Sequence, residues 1–215
     1  MENAKHSHKI IIVGIGPGNP EYLLPKAREV ISTAKVLVGG KRAIDEYAHA
    51  GQRLKLIKAD IEGVLAFIAD ELIASDVVVM VSGDPGYYSL LDAIRKNFPI
   101  QNINVIPGIS SLQLAFARLA LPWHDATLVS YHGRTPKNSD IAFTPNKILG
   151  MLTDSRNNSQ SIAKNLINNA GWQEISTIYI CERLSYADEK ITATTLIAAA
   201  NAEPVKNCVL IVVAF

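Results

Sequence analysis

The chain reads as an α/β protein of two domains, and three observations predict it. Apolar, β-rich runs alternate with helical patterns almost from end to end. Several of those runs, such as Lys9–Ile15 and Val77–Ser82, hold four or five consecutive apolar residues (Ile10–Val13 and Val77–Val81), as in strands buried on both faces of a parallel sheet. Glycine and proline cluster where those runs end.

Taken in order, Lys9–Ile15 is the first strand. A helix should follow, capped by Asn19, with Pro20 in its first turn and Leu23, Ala27, Val30, Ile31 and Ala34 at helical spacing. Val36–Val38 is a short strand ending in Gly39-Gly40. A helix through Ala43–Ala48 and a strand at Leu54–Ile57 come next. Ile61–Ala74 carries Val64, Leu65, Ile68 and Leu72 on one helical stripe. Val77–Ser82 is a strand, Ser89–Asn97 a helix, Ile103–Ile106 a strand and Ser110–Leu119 a helix. The alternation predicts a mainly parallel sheet with helices on both faces.

The pattern changes near Leu121-Pro122, which sets the expected domains at 1–121 and 122–215. Beyond it, strands are expected at Thr127–Tyr131, Ile148–Leu152, Thr177–Cys181 and Cys208–Val213, and helices at Ser159–Ala170 and Thr194–Ala200. This is a second, smaller α/β domain with a mixed sheet. The polar stretch Gly133–Thr144 is expected to be a mobile surface loop.

Composition narrows the function. The 215 residues are 48% hydrophobic and 19% charged, with a net charge of +1, which gives no footprint for nucleic acid or for an anionic membrane. No apolar run approaches the roughly 18 residues that span a bilayer, and the N-terminus lacks a signal-peptide segment. A cytoplasmic protein without a membrane or nucleic-acid partner is therefore expected. Cys181 and Cys208 lie inside apolar runs and read as reduced core thiols. They make no metal-ligand spacing with histidine, so no metal is expected, and His6 and His8 read as part of a loose terminus.

Ligands in open α/β sheets bind at the carboxyl ends of the strands. Three such ends carry unusual loops, at Gly14–Pro20, Ser82–Gly86 and Pro107–Ser111. Glycine there lets backbone approach a ligand closely, and proline stiffens the turn. A dinucleotide site fails its context test, because Asn19 stands where G-x-G-x-x-G needs glycine and Gly39-Gly40 stands where an acidic residue would hold a ribose. A P-loop fails as well, since Gly39-Gly40-Lys41 lacks the upstream glycine.

These loops match a family pattern: Val13–Pro20 fits V-G-x-G-P-G-x-P, Gly83-Asp84-Pro85 fits G-D-P, and Pro107–Ser111 fits P-G-[IT]-[ST]-[SA]. In this the chain resembles the tetrapyrrole (corrin/porphyrin) methylases, the class III S-adenosylmethionine (SAM) dependent methyltransferases. Ser82–Leu91, Ile106–Trp123 and Ser130–Arg134 resemble most the members that methylate C5 of precorrin-7, or of its cobalt form, in cobalamin biosynthesis. The alternatives are another precorrin methyltransferase or a diphthine synthase of the same superfamily, or a non-catalytic corrinoid-binding protein of the same fold. A ribosomal-RNA methyltransferase is disfavoured, since its Thr-Pro-Ile-Gly-Asn type loop is missing.

The resemblance implies an active site in the cleft between two domains, SAM as cofactor, a corrinoid substrate and a homodimer. Since the chain ends at Phe215, just after its last strand, a separate C15-methyltransferase/decarboxylase is expected in the pathway. It further implies cofactor contacts at Pro17, Ser82, Gly83, Asp84, Tyr87, Ser110 and Ser111. From the second domain it adds Leu152, Thr153, Arg183 and Leu184. Gly16, Pro17, Gly18, His132 and Arg134 would face the substrate, with Arg134 the preferred carboxylate anchor. Arg42, Arg118 and Lys137 are weaker choices for that role. If a proton must be removed, Asp84, Tyr131 and His132 are the candidate catalytic groups. Three of these residues have a plainer reading: Asp84-Pro85 as a turn, Ser110 as a helix cap, and His132 as a loop residue that orients substrate.

Overall fold

The computed structural model describes residues 8–214; the reading of His6 lies outside them. The chain divides into two compact units at Ser110/Ser111.

The first unit holds β1 (Ile10–Gly14), α1 (Pro25–Thr33), β2 (Val36–Gly39), α2 (Lys41–Tyr47), β3 (Arg53–Leu56), α3 (Ile61–Glu71), β4 (Val77–Val81), α4 (Leu91–Asn97) and β5 (Ile103–Ile106). The five strands form one sheet in the order β3-β2-β4-β1-β5, and every pairing is parallel. Side chains alternate between the two faces of a strand, and β4 shows why an all-apolar run is needed. Val77, Val79 and Val81 pack with Val64, Ile68 and Leu72 of the α3 segment and Ile94 of α4. Val78 and Met80 pack with Ala27 and Ile31 of α1 and Ala43 and Ile44 of α2. Both faces are covered, so neither register of the strand tolerates a polar residue.

The single helix expected after the first strand is two pieces. A short 3-10 turn, Pro20–Tyr22, is capped by Asn19, whose side chain accepts the Glu21 N–H at 2.9 Å. α1 starts afresh at Pro25, a residue suited to a first helical turn but not to an interior one.

The second unit contains α5 (Ser111–Arg118), β6 (Thr127–Ser130), α6 (Asn138–Ile141), β7 (Ile148–Leu152), α7 (Ser159–Ala170), β8 (Thr177–Glu182), β9 (Lys190–Thr195), α8 (Leu196–Asn201) and β10 (Val209–Val213). Its sheet runs β6-β7-β10-β8-β9, with β6 parallel to β7 and the remaining pairs antiparallel. One face is covered by α6, α7 and α8, which meet Leu149, Met151, Ile178, Leu210 and Val212. The other face takes α5. A Cβ on Gly150 of β7 would stand 3.1 Å from both Leu112 and Phe116 of that helix.

That packing is why the units part before α5 and not at Pro122, where the composition changes. The segment 133–144 also differs from expectation. It contains α6, whose Ile141 is buried, and Trp172 Nε1 donates to Ile141 O at 2.7 Å. This part is anchored to the core and is not a free loop. His8 pairs with Asp76 at 3.4 Å. No helix among the described residues is long and apolar enough to cross a membrane.

Cys181 and Cys208 are buried free thiols, and burial pushes them up to about 12 and about 11. Only the thiolate reacts readily. The native protein at pH 8 should therefore show no reaction with a chromogenic disulfide reagent over minutes, and both thiols should react once guanidinium unfolds it. Two thiols titrating within the mixing time of the native protein would contradict this burial.

Candidate functional site

In the first unit the carboxyl ends of β1, β4 and β5 carry the three glycine loops, and the loops touch through their glycines. Gly16 and Gly83 form an isolated bridge: Gly83 N–H donates to Gly16 O at 2.8 Å, and Gly16 N–H to Gly83 O at 3.3 Å. Both residues are left-handed, with φ of +77° and +68°, a conformation that a side chain would strain. Gly14 and Gly108 meet at the same point. A Cβ on Gly108 would lie 2.2 Å from Gly83 O and 2.8 Å from Gly14 Cα. Ser110 adjoins them, its Cα 3.5 Å from where a Gly83 Cβ would stand. Pro17 is half-buried and Gly18 buried in the first loop.

Asp84 ties this group together. Its Oδ2 accepts the Gly108 N–H at 3.0 Å and its Oδ1 the Gly86 N–H at 2.8 Å. Both carboxylate oxygens thus hold backbone, and the residue acts as a brace between the loops after β4 and β5. Tyr87 begins where that turn closes, its N–H donating to Asp84 O at 3.2 Å and its ring meeting Tyr88 edge-on at 4.6 Å. Ser82 is exposed, and its hydroxyl accepts from Arg42 Nη2 at 3.3 Å.

In the second unit, the end of β6, the end of β7, the start of β10 and the end of β8 lie side by side at one edge of the sheet. Tyr131 is 3% exposed, packs in the core, and its hydroxyl accepts from Asn165 Nδ2 at 3.3 Å. Burial raises its pKa further, so Tyr131 leaves the set of proton acceptors. Tyr131→Phe should therefore cost only about 1 kcal/mol of stability, the value of one hydrogen bond. Denaturant titration reads that loss, and ligand affinity and turnover should not change.

His132 is exposed, and its Nδ1 lies 3.3 Å from Thr153 O. Thr153 is buried, and its hydroxyl donates to Cys208 O at 2.7 Å while accepting the Cys208 N–H at 2.8 Å. That two-way clamp turns the Thr153 side chain inward, so only its backbone serves the edge. Leu152 is half-buried beside it. Asp154, which the sequence did not single out, accepts the N–H groups of Gly133, Arg156 and Asn157 at 2.9, 2.8 and 2.7 Å. Those bonds hold its carboxyl well below the usual carboxylate range. Arg134 is exposed in the same loop.

Beyond β8, Arg183 and Ser185 both take positive φ, 48° and 75°, around the buried Leu184. Arg183 pairs with Asp188, and its guanidinium lies 4.7 Å from the Tyr186 ring centre. Glu189 secures the turn by accepting the Ser185 N–H at 2.7 Å and Arg118 Nε at 2.6 Å. Arg118 is thereby committed to Glu189 and is a bracing residue. Lys137 precedes α6 at its N-cap, and Ser111 opens α5. Among the described residues no group of His, Cys, Asp or Glu is placed to hold a metal ion.

Residues 9–200 match the family model for tetrapyrrole (corrin/porphyrin) methylases. The chain belongs to this family. Among tetrapyrrole methylases it is 32% identical over 203 residues to the cobalt-precorrin-7 C(5)-methyltransferase of Salmonella typhimurium, covering 94% of this chain and 98% of that protein. Its fold matches the precorrin-6Y methylase of Archaeoglobus fulgidus with a TM-score of 0.72 at 23% identity, covering 97% and 98% of the two chains. It also matches the uroporphyrin-III C-methyltransferase of Thermus thermophilus complexed with S-adenyl homocysteine, with a TM-score of 0.71 at 22% identity over 96% and 92%.

Proposed function

We propose that the chain is a SAM-dependent C-methyltransferase of corrin biosynthesis that methylates C5 of precorrin-7 or its cobalt form. The observation that carries the reading is the set of interlocked loops at the carboxyl edge of the first sheet. There the N–H groups of Gly16, Gly83, Gly86 and Gly108 are used in joining the loops, and the one carboxylate of the loops already braces them. With that carboxylate engaged, the site fits a ligand that carries its own charged groups, met by backbone and by hydroxyls, which can donate or accept. The likeness to the Salmonella relative along nearly all of both chains supports the choice of substrate.

Bound SAM supplies an electrophilic methyl group whose departure leaves a neutral thioether, so the protein need not protonate a leaving group. What remains for these residues is placement. Ser82, Gly83, Tyr87 and Ser110 hold the cofactor side, and Gly16, Pro17 and Gly18 present a stiff surface toward the substrate. The methyl must stand about 3 Å from the attacking carbon with water excluded. A reduced tetrapyrrole carbon is enamine-like and already nucleophilic. Asp84 therefore works as a brace and not as a base. The family resemblance implies a homodimer, which light scattering tests, and the cytoplasmic location expected from the sequence is tested by cell fractionation.

The direct test incubates the protein with SAM and precorrin-7, metal-free and cobalt-loaded, followed by mass spectrometry. A gain of one methyl group with either form is the expected result. No gain with both overturns the C5 assignment, and tight S-adenosylhomocysteine binding without any gain would mark a corrinoid-binding protein instead.

A further inference from the structure

β8 and β9 are antiparallel neighbours with Glu182 opposite Lys190, so residues 183–189 are the connection between them. A connection of this length is ordinarily an exposed, mobile loop. This one is fastened along its course. Tyr186 N–H donates to Arg183 O and Glu189 N–H to Tyr186 O, each at 3.0 Å. Leu184 and Ser185 are buried.

Glu189 is the centre of that fastening. Its Oε2 accepts the Ser185 N–H at 2.7 Å, and its Oε1 accepts Arg118 Nε at 2.6 Å, with Arg118 Nη2 3.4 Å from Oε2. Arg118 ends α5, the helix that packs against Gly150 of β7, so the loop is tied to a rigid element. Burial works against the Glu189 charge, but the Arg118 guanidinium and the Ser185 N–H outweigh it and hold the carboxyl below its ordinary range. The contacts it makes are therefore charge-assisted at neutral pH.

What Glu189 holds is an unfavourable backbone. Arg183 and Ser185 both take positive φ, a conformation open to glycine at no steric cost but strained for residues with a Cβ. Strain kept in place by surrounding contacts is a mark of functional segments. The segment directly follows β8, where Cys181 lies opposite Val209 and Val209 opposite Leu152. It therefore leaves the sheet at the edge that carries Thr153.

We infer that Glu189 is a positioning residue for the cofactor: clamped by Arg118, it holds the left-handed backbone at Arg183–Ser185 in the shape that meets the ligand. The inference rests on the methyltransferase reading, in which Arg183 and Leu184 are cofactor contacts. Glu189 acts through them and not on the reacting atoms.

The experiment measures calorimetric affinity for S-adenosylhomocysteine, the denaturant midpoint, and KM for SAM with kcat. It uses the wild type, Glu189→Ala, Glu189→Gln, Arg118→Met and the double variant Arg118→Met/Glu189→Ala. Glu189→Ala should bind about tenfold more weakly and raise the KM for SAM about tenfold, with kcat kept. Glu189→Gln retains an acceptor for the Ser185 N–H and should lose only about threefold. The double variant should lose little beyond Glu189→Ala, because Arg118 acts through Glu189.

An affinity within about twofold of the wild type in Glu189→Ala, with a lowered midpoint, would overturn the inference and leave Glu189 a brace for the fold alone. So would a fall in kcat with KM unchanged, and so would losses that add in the double variant. Glu189→Gln is nearly isosteric and keeps the test decisive where Glu189→Ala folds poorly. A wild type that binds S-adenosylhomocysteine but methylates neither precorrin form sinks the C5 assignment alone, because the binding arm still reads the positioning. A wild type that binds no S-adenosylhomocysteine overturns both.

Discussion

Asp84→Ala should weaken S-adenosylhomocysteine binding by about 10- to 100-fold, as measured by calorimetry. The carboxylate accepts two backbone N–H groups, from Gly86 and Gly108, and so links the loops after β4 and β5. Hydrogen bonds to a charged group are each worth about 1.5–3 kcal/mol, and a factor of ten in affinity is about 1.4 kcal/mol. Part of the loss will appear as lower folding stability and part as the ordering that the ligand must then impose on a loosened loop. Asp84→Asn keeps one acceptor and should fall between the two. A brace predicts that affinity and stability decline together across Asp, Asn and Ala. Affinity that falls with no change in unfolding midpoint would instead mean direct contact with the ligand, and no change in either would remove Asp84 from the site.

Gly108→Ala is expected to be more damaging to the fold. Its φ is unexceptional, so the obstacle is purely spatial: the added carbon would stand 2.2 Å from Gly83 O and 2.8 Å from Gly14 Cα. Those atoms are backbone, anchored by β1 and by the Gly16–Gly83 bridge, and cannot rotate aside as a side chain would. Overpacking of this kind costs about 1–3 kcal/mol where side chains can yield, and more where they cannot. We expect at least about 3 kcal/mol, read as a lowered denaturant midpoint with unchanged slope. Gly40→Ala is the matched comparison, because its added carbon meets nothing within 4 Å and should shift stability by no more than about 0.5 kcal/mol. Equal behaviour of the two variants would disprove the tight glycine contact.

Much of the first unit was legible because its signals are local. Val77–Val81 is apolar on both faces since helices cover both, and glycine at three strand ends marks where backbones must come close. What escaped has a different physical origin. β9 reads Lys190–Thr195, half-exposed threonine and alanine at the sheet's edge, and such a strand has no hydrophobic period to detect. The membership of α5 depends on Gly150, a residue far along the chain that opens space for Phe116. Tyr131 sits next to His132 in sequence, but strand alternation sends its ring into the core. The partners of Asp84, Asp154 and Glu189 are mostly backbone N–H groups, which every residue type except proline carries, so residue identities give no hint of them. The Arg42–Ser82 contact arises only because β2 and β4 are neighbours in the sheet, which their order in the chain does not show.

The shared contact of Gly14, Gly83 and Gly108 also bears on how this scaffold can be re-engineered. Loops at the open end of an α/β sheet are usually treated as interchangeable parts, each free to be lengthened or swapped by itself. Here three of them have a common point with no slack, so an insertion that displaces one displaces the other two. Libraries that diversify a single loop should yield mostly misassembled protein. Diversity is better introduced at positions away from this shared contact.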